Sequence, residues 1–498
     1  YQYAYIPYNL FLSIAISGAP LAISKYVSKY NSLGDYETGR RLLKSGIGIM
    51  MFTGITSFLV LFSLSDYIAG LVIKENEQIY TIDQIATVIR WVSFALIVVP
   101  TLSIVRGFFQ GYKMFEPSAV SQLVEQIVRI AFVLTGTSFV VYILKDTTEH
   151  AMNFAVFAAF IGALAGLAVL YKYWKANVDE FDRLRATSVY SGEKVSFFEM
   201  YKEVFASLVP FVLIGVINPL YQFVDMITFN KSMVSIGLGS QTDMYLTVLN
   251  LFTHKVVMIP VMVATAFSMA LIPVITEYFT NKKADEMRST LDKIFQIMFF
   301  LTIPMVLGII VLSSEIYTLF FEYDEYGSKI LTHYVPVAIL FGLASVTAAI
   351  LQSIDRHRWI IFTSLLGLLV KVVINIPMIQ WFQTTGAIAA TTIGYVITIS
   401  LNIIIISKSI HYRSSLVIRR TTLIVILSLM MFGVVWMVTR FLHQFAIAET
   451  KGLALLYVLI GATVGVVVYG YLTLKVGLMQ RLFGNQLDRL KQKLVRKG

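Results

Sequence analysis

Two basic side chains stand side by side in the middle of an apolar stretch, His254 and Lys255, within residues 244–278. As a helix rising about 1.5 Å per residue, this stretch carries Lys255 about 17 Å from its start, halfway through a hydrocarbon core of about 30 Å. A lysine stem does not easily snorkel that far, and cations at such depth face a bundle interior or a wet cavity. The chemistry on offer is capture of an anion inside the membrane; the alternative is a private pairing with a nearby acid or helix break. Three more cations, Arg90, Arg129 and Lys371, fall within or at the edge of apolar spans. Arg129 follows Glu125 by four residues and shares its helix face, so it meets either a substrate phosphate or Glu125 itself. Lys371 has no acid one turn away, which makes it the better anion or gating residue. Asp225, near the outer end of its span, is placed to bind a cation or to pair with Lys371. Lys25 and Lys29 share one face at the end of the first span, suited to an anionic headgroup or to ordinary interfacial anchoring.

The elements that position these residues are membrane helices. Of 498 residues, 57% are hydrophobic and only 14% charged, with a mean hydropathy of +0.75, which makes the chain an all-α polytopic membrane protein. Cysteine is absent, which excludes disulfides, thiol catalysis and cysteine-ligated metals. The six histidines form no HExxH pattern, so a metal enzyme is not expected. The net charge of +11 is read as basic cytoplasmic loops rather than nucleic-acid binding.

Thirteen apolar spans are long enough to cross, near 8–27, 42–64, 85–108, 120–142, 151–171, 202–227, 244–275, 290–313, 331–353, 359–381, 387–407, 421–441 and 453–474. Assigning alternate loops to one side places 30 of the 40 Lys and Arg there, including the short 355–358 loop. By the positive-inside rule that side is cytoplasmic, with the C-terminus inside and Tyr1 outside. Residues 1–9, YQYAYIPYN, read as an aromatic interfacial turn, and an external start with an odd span count implies a helix missing before Tyr1. The tail 477–498 has leucines at helical spacing among basic residues, an amphipathic helix for the acidic inner leaflet.

An internal repeat organises the spans. The segment from Phe108 aligns with that from Ile350, so that Gln110 meets Gln352 and Arg129 meets Lys371; a second alignment sets Pro20 beside Pro273. Two related lobes follow: residues 1–171, lacking a first helix, and 202–407, joined by a charged cytoplasmic connector at 172–201. Residues 408–498 add two further membrane helices and the basic tail. Two lobes with buried charge suggest a transporter whose halves rock around a central site.

The stretches YNLFLSIAISGAPLAISKYVSKYNSLGD from Tyr8, VRGFFQGYKMFEPSAVSQLVEQIVR from Val105 and MALIPVITEYF from Met269 resemble the polysaccharide-exporter branch of the multidrug/oligosaccharidyl-lipid/polysaccharide exporter superfamily, nearest to its MurJ-type lipid II flippases and their sporulation relatives. The Arg-Gly-x-x-Gln-Gly core at Arg106 to Gly111 is distinctive for that branch, and Arg106 is counted with the substrate contacts. The resemblance covers essentially the whole chain. It implies two six-helix lobes plus two C-terminal helices and translocation of an undecaprenyl-pyrophosphate-linked peptidoglycan precursor by alternating access in the bacterial cell membrane; a monomer is expected, with no cofactor beyond a coupling cation or the membrane potential. A family cavity arginine on the eighth helix falls on Lys255, which keeps the charge and loses the bidentate fork. A second, on the second helix of some members, falls near Leu12. Sodium-coupled members carry an acid on helix seven and an Asn and Asp one turn apart on helix eleven. Asp225 and Asn375 match these, but Ile379 stands where the second acid belongs, leaving proton or membrane-potential drive beside sodium.

The expected substrate contacts are therefore Lys255, His254, Arg129, Lys371, Lys25, Lys29 and Arg106, with Asp225 and Asn375 for ion coupling. The alternatives are a flippase for another lipid-linked glycan and a drug/cation antiporter, which expects an acidic cavity and twelve helices. A membrane glycosyltransferase needs a catalytic base or metal-binding acids. The acidic clusters Glu75 with Glu77, and Glu322 with Asp324 and Glu325, lie on loops and read as solvated features.

Overall fold

The computed structural model describes residues 2–16, 18–72, 81–145, 147–187, 197–412, 415–482 and 484. Among these, helices are the sole regular secondary structure, and ten are long and apolar enough to cross a membrane. The chain separates into two compact units, Tyr1–Asp243 and Met244–Gly498.

The first unit holds α1 (Gln2–Ile16), α2 (Ala19–Ser32), α3 (Tyr36–Ser63), α4 (Ser65–Val72), α5 (Ile82–Ser93), α6 (Ala95–Gly111), α7 (Glu116–Ser138), α8 (Thr148–Ala186) and α9 (Phe197–Ser235). The second begins within α10 (Thr242–Thr247) and continues with α11 (His254–Thr280), α12 (Ala284–Val311), α13 (Ser313–Phe320), α14 (Glu325–Tyr334), α15 (Val337–Ser353), α16 (His357–Ile410), α17 (Ser415–Leu442) and α18 (Lys451–Lys475). The span expected at 202–227 as the start of the second lobe lies in α9, which packs against α1 in the first unit.

The helices turn apolar residues outward and small or polar ones inward, as lipid-facing surfaces require. On α7, Leu123, Ile127, Ile130 and Leu134 form an exposed stripe, while Ser118 and Ser121 are buried. On α16, Leu365, Leu369, Val372 and Ile376 are exposed, while Thr363, Lys371, Asn375 and Ile379 are buried at four- and eight-residue spacings. α16 contains two of the expected spans. They are separated at Gln383, whose φ of 54° and ψ of −131° leave the helical region, and Gly386 accepts the fold-back because a side chain there would collide with the Met378 carbonyl.

Three expectations change. The aromatic opening is helical from Gln2, because Tyr3 and Tyr8 are buried and the Tyr3 hydroxyl donates to Asp243 and accepts from Asn230 Nδ2 at 3.2 Å. The first span is broken into α1 and α2 by Gly18, at φ 77°, with Pro20 opening α2. The connector is not wholly a loop: α8 runs on to Ala186, with Phe181 buried against Phe108, Phe109 and Tyr112. Residues 188–196 of the connector, Glu75 with Glu77, and the tail from 485 lie outside the described residues. Of the other acidic cluster, Asp324 caps α14, accepting from Tyr326 N and Gly327 N at 3.0 Å each.

The Arg-Gly-x-x-Gln-Gly core has a packing explanation. Gly107 and Gly111, one turn apart on α6, both face α2. A Cβ on Gly107 would lie 2.6 Å from the Pro20 carbonyl oxygen, and one on Gly111 would lie 2.7 Å from Val27 Cβ. Backbone atoms cannot step aside as a side-chain tip does, so Gly107→Ala is expected to destabilise the protein by about 1–3 kcal/mol through overpacking. Thermal unfolding in detergent measures this, and an unchanged midpoint would show that α2 and α6 can separate freely.

Candidate anion-binding site and buried polar seams

The span that carries His254 and Lys255 is not a regular α-helix. Between α10 and α11, residues Val248–Thr253 form a π-helical turn, a widening that recurs at functional sites. The Thr253 hydroxyl lies against it, bonding the carbonyls of Val248 at 2.8 Å and Leu249 at 2.9 Å. The two basic neighbours then part, because successive helical residues point about 100° away from each other. His254 turns inward, 9% exposed, with Nδ1 2.8 Å from the Tyr334 hydroxyl and its ring against Phe341. Lys255 turns outward and is exposed, as are Ile259 and Met262 on the following turns. Lys255 is thus the basic residue of this pair that can meet a ligand.

Beside Lys255, Val256 and Ile259 line an apolar cavity of about 470 Å³. It lies within the second unit. α12 contributes Pro304 and Gly308, α13 Ile316, and α17 and α18 close it with Val435 and Gly461. The Tyr469 hydroxyl of α18 donates to the Phe300 carbonyl at 3.0 Å, tying the C-terminal helix to the cavity wall. Such a surface suits a hydrocarbon chain.

Lys371 is fully buried, and its Nζ donates to Thr391 Oγ1 at 2.7 Å. Asn375, one turn further, is also fully buried. A second part of this seam joins Thr363 to Asn402 Oδ1 at 2.7 Å and Asn402 Nδ2 to Thr347 at 3.1 Å. Buried polar groups held this way specify how helices pack. The signal for the partners was present in the sequence: Thr391, Thr398 and Asn402 recur at helical spacing.

In the first unit Arg106 serves a three-helix junction. Its Nη2 donates to Glu125 Oε2 at 2.7 Å and to Ser121 Oγ at 2.8 Å, and Ser121 donates to the Gly166 carbonyl at 3.0 Å. Glu125 thereby gains a partner that the four-residue spacing to Arg129 did not suggest. Arg129 is half-buried beside Gly162, where a Cβ would lie 3.1 Å from its own. Asp225 is buried on α9. Lys25 and Lys29 remain exposed on α2, their ammonium groups each 5.7 Å from the Tyr26 ring centre. α3 is tied to the end of α8 by Arg185 on Glu37 and by Arg40 on Asp182, and Arg41 meets Glu37 within α3. Burial pushes the Tyr112 hydroxyl up to about 12, with Tyr36 adding to the shift, so it is a neutral hydrogen-bonding group there. No group of metal-ligating side chains is found among the described residues.

Residues 1–279 match the family model for polysaccharide biosynthesis proteins, and residues 210–376 match the MatE model. The chain is 40% identical to the lipid II flippase MurJ of Bacillus subtilis (strain 168), over 98% of this chain and 90% of that protein. It is 23% identical to the stage V sporulation protein B of the same organism, over 78% of this chain and 73% of that one. Among solved structures, the inward closed conformation of the lipid II flippase MurJ superposes with a TM-score of 0.60 at 16% identity, covering 95% of this chain and 93% of the other. An inward-facing multidrug resistance MATE transporter gives 0.65 at 11% identity, covering 82% and 89%.

Proposed function

We propose that this chain, which belongs to the polysaccharide biosynthesis protein family and within it to the MurJ-type lipid II flippases, moves lipid II from the inner to the outer leaflet of a bacterial cell membrane by alternating access. The observation that carries this reading is the 40% identity to a lipid II flippase along nearly the whole chain. Families of this kind transport and do not catalyse.

The physical problem is the ionised diphosphate, whose transfer into hydrocarbon without compensation costs far more than thermal energy. Lys255 replaces part of its hydration, with Arg129, Lys25 and Lys29 as further cationic contacts along the route. The polyprenyl tail stays in an apolar setting, and the cavity beginning at Val256 and Ile259, next to Lys255, supports this division of labour. His254, Lys371 and Arg106 are held by side chains within their own units and act by shaping the helices.

With basic loops and the C-terminus in the cytoplasm, an inside-negative potential favours outward movement of an anion by about 2.3 kcal/mol per charge per 100 mV. Ile379 supplies no carboxylate beside Asn375, which favours the potential over sodium as the drive.

Depletion of the protein in its own cell, combined with an external enzyme that cleaves only exposed lipid II, tests the reading. Protected precursor is expected to accumulate and to clear when the wild-type chain is restored. Unchanged exposure in a strain with no other flippase would move the assignment to a different lipid-linked glycan.

A further inference from the structure

The chain passes from the first unit to the second inside one short helix. α9 ends at Ser235, a turn with Gly237 at φ 80° follows, and α10 starts at Thr242. Asp243 is the last residue of the first unit and Met244 the first of the second. With no cysteine in the chain, this is the single covalent connection between the units, so any movement of one against the other bends or twists the chain at the start of α10.

α1 holds Asp243 at that point. The Tyr3 hydroxyl donates to Asp243 Oδ1, and it also lies between the two ends of the Asn230 amide, 3.2 Å from Nδ2 and 3.3 Å from Oδ1. Tyr3 and Asn230 are both buried, and Asn230 is fixed on α9 because its Nδ2 donates to the Val72 carbonyl of α4 at 2.7 Å. The hydroxyl proton therefore has two acceptors within reach, the Asp243 carboxylate and the Asn230 carbonyl oxygen. A hydroxyl rotates to suit its surroundings, so it can leave Asp243 without becoming the unsatisfied buried donor that makes such bonds costly to break. Asp243 is half-buried, which lets water take the place of the phenol on its carboxylate.

We propose that Tyr3 and Asp243 form a releasable latch on the joint between the units. Their bond pins the start of α10 in the arrangement seen here, and the hydroxyl turns to Asn230 when the second unit moves. The charged acceptor favours the pinned form, while the amide beside it keeps the released form within reach, as a two-state element requires. The latch rests on the alternating-access reading above.

The test uses the full chain in lipid nanodiscs. Because the chain has no cysteine, Tyr67→Cys on α4 and Gln444→Cys beyond α17, both exposed positions, take one spin label each, and pulsed electron paramagnetic resonance reads the distribution of distances between the units. Tyr3→Phe removes only the hydroxyl, and Asp243→Ala removes its charged acceptor. Each is expected to shift the ratio of distance populations about tenfold away from the form that dominates in the unmodified chain, the effect of one hydrogen bond to a charged group on a two-state equilibrium. The double variant shifts it no further, because the two residues act as one bond. Should Asp243→Ala fail to fold, Asp243→Asn, which keeps an acceptor without the charge and shifts the ratio less than Tyr3→Phe, carries the comparison. An unchanged distribution would overturn the latch even where the melting temperature falls, since a packing contact stabilises without selecting a conformation. Shifts that add in the double variant would overturn the pairing. The readout needs no substrate, so a chain that shows the shift yet leaves lipid II exposure unchanged on depletion keeps the latch and loses the flippase reading.

Discussion

Lys255→Ala is expected to leave the protein folded and to lower the rate of lipid II exposure by at least about tenfold, whereas Lys255→Arg keeps most of it. A hydrogen bond to a charged group contributes about 1.5–3 kcal/mol, and each 1.4 kcal/mol is about tenfold in a rate or binding constant. Folding should survive because Lys255 is exposed rather than packed, and removing a cation from membrane depth relieves a cost. Arginine preserves the charge and adds a planar fork that fits phosphate oxygens. The measurement is leaflet-resolved cleavage of lipid II in cells that depend on the variant, with the melting temperature of purified protein beside it. Normal flipping by a folded Lys255→Ala protein would remove this residue from the proposed site.

Arg106→Ala and Glu125→Ala are each expected to destabilise the first unit by about 3–5 kcal/mol, since each strands a largely buried charge. The side chains are 13% and 16% exposed, and their ion pair at 2.7 Å also engages Ser121, which bonds the backbone of α8. The double variant Arg106→Met with Glu125→Leu removes both charges and is expected to recover most of the loss, because well-packed apolar replacements of a buried pair are often neutral. Thermal unfolding of the wild type, Arg106→Met, Glu125→Leu and the double variant gives the coupling. Additive losses would mean that the two residues act separately. Flipping by the double variant then divides two roles for Arg106: recovery of transport with stability marks a structural junction, whereas recovered stability without transport marks a substrate contact.

The class of this protein was readable from composition and span length, and the family from stretches such as Arg106 to Gly111. The roles within that motif were not. Gly107 and Gly111 serve the approach of α2, and Arg106 serves α7 and α8, three helices that one-dimensional spacing cannot bring together. Glu125 shows the same limit: a four-residue spacing offers Arg129, while the bond to Arg106 crosses between helices.

What the sequence determined by itself is the class, an all-helical membrane protein, because transfer of about twenty consecutive apolar residues into hydrocarbon outweighs any local preference. It also set Lys255 inside a long apolar span. Tertiary structure decided which way each polar side chain turns. His254 and Lys255 are adjacent in the chain, about 1.5 Å apart along the axis, yet the first turns inward to Tyr334 and the second is exposed. Lys371 is wholly enclosed against Thr391, and residues Val248–Thr253 form a π-turn that no residue pattern announced. The physical reason is that burial in lipid depends on residue type summed along one helix, whereas orientation depends on which neighbouring helix offers a hydrogen-bond partner, and that is known only once the helices have packed.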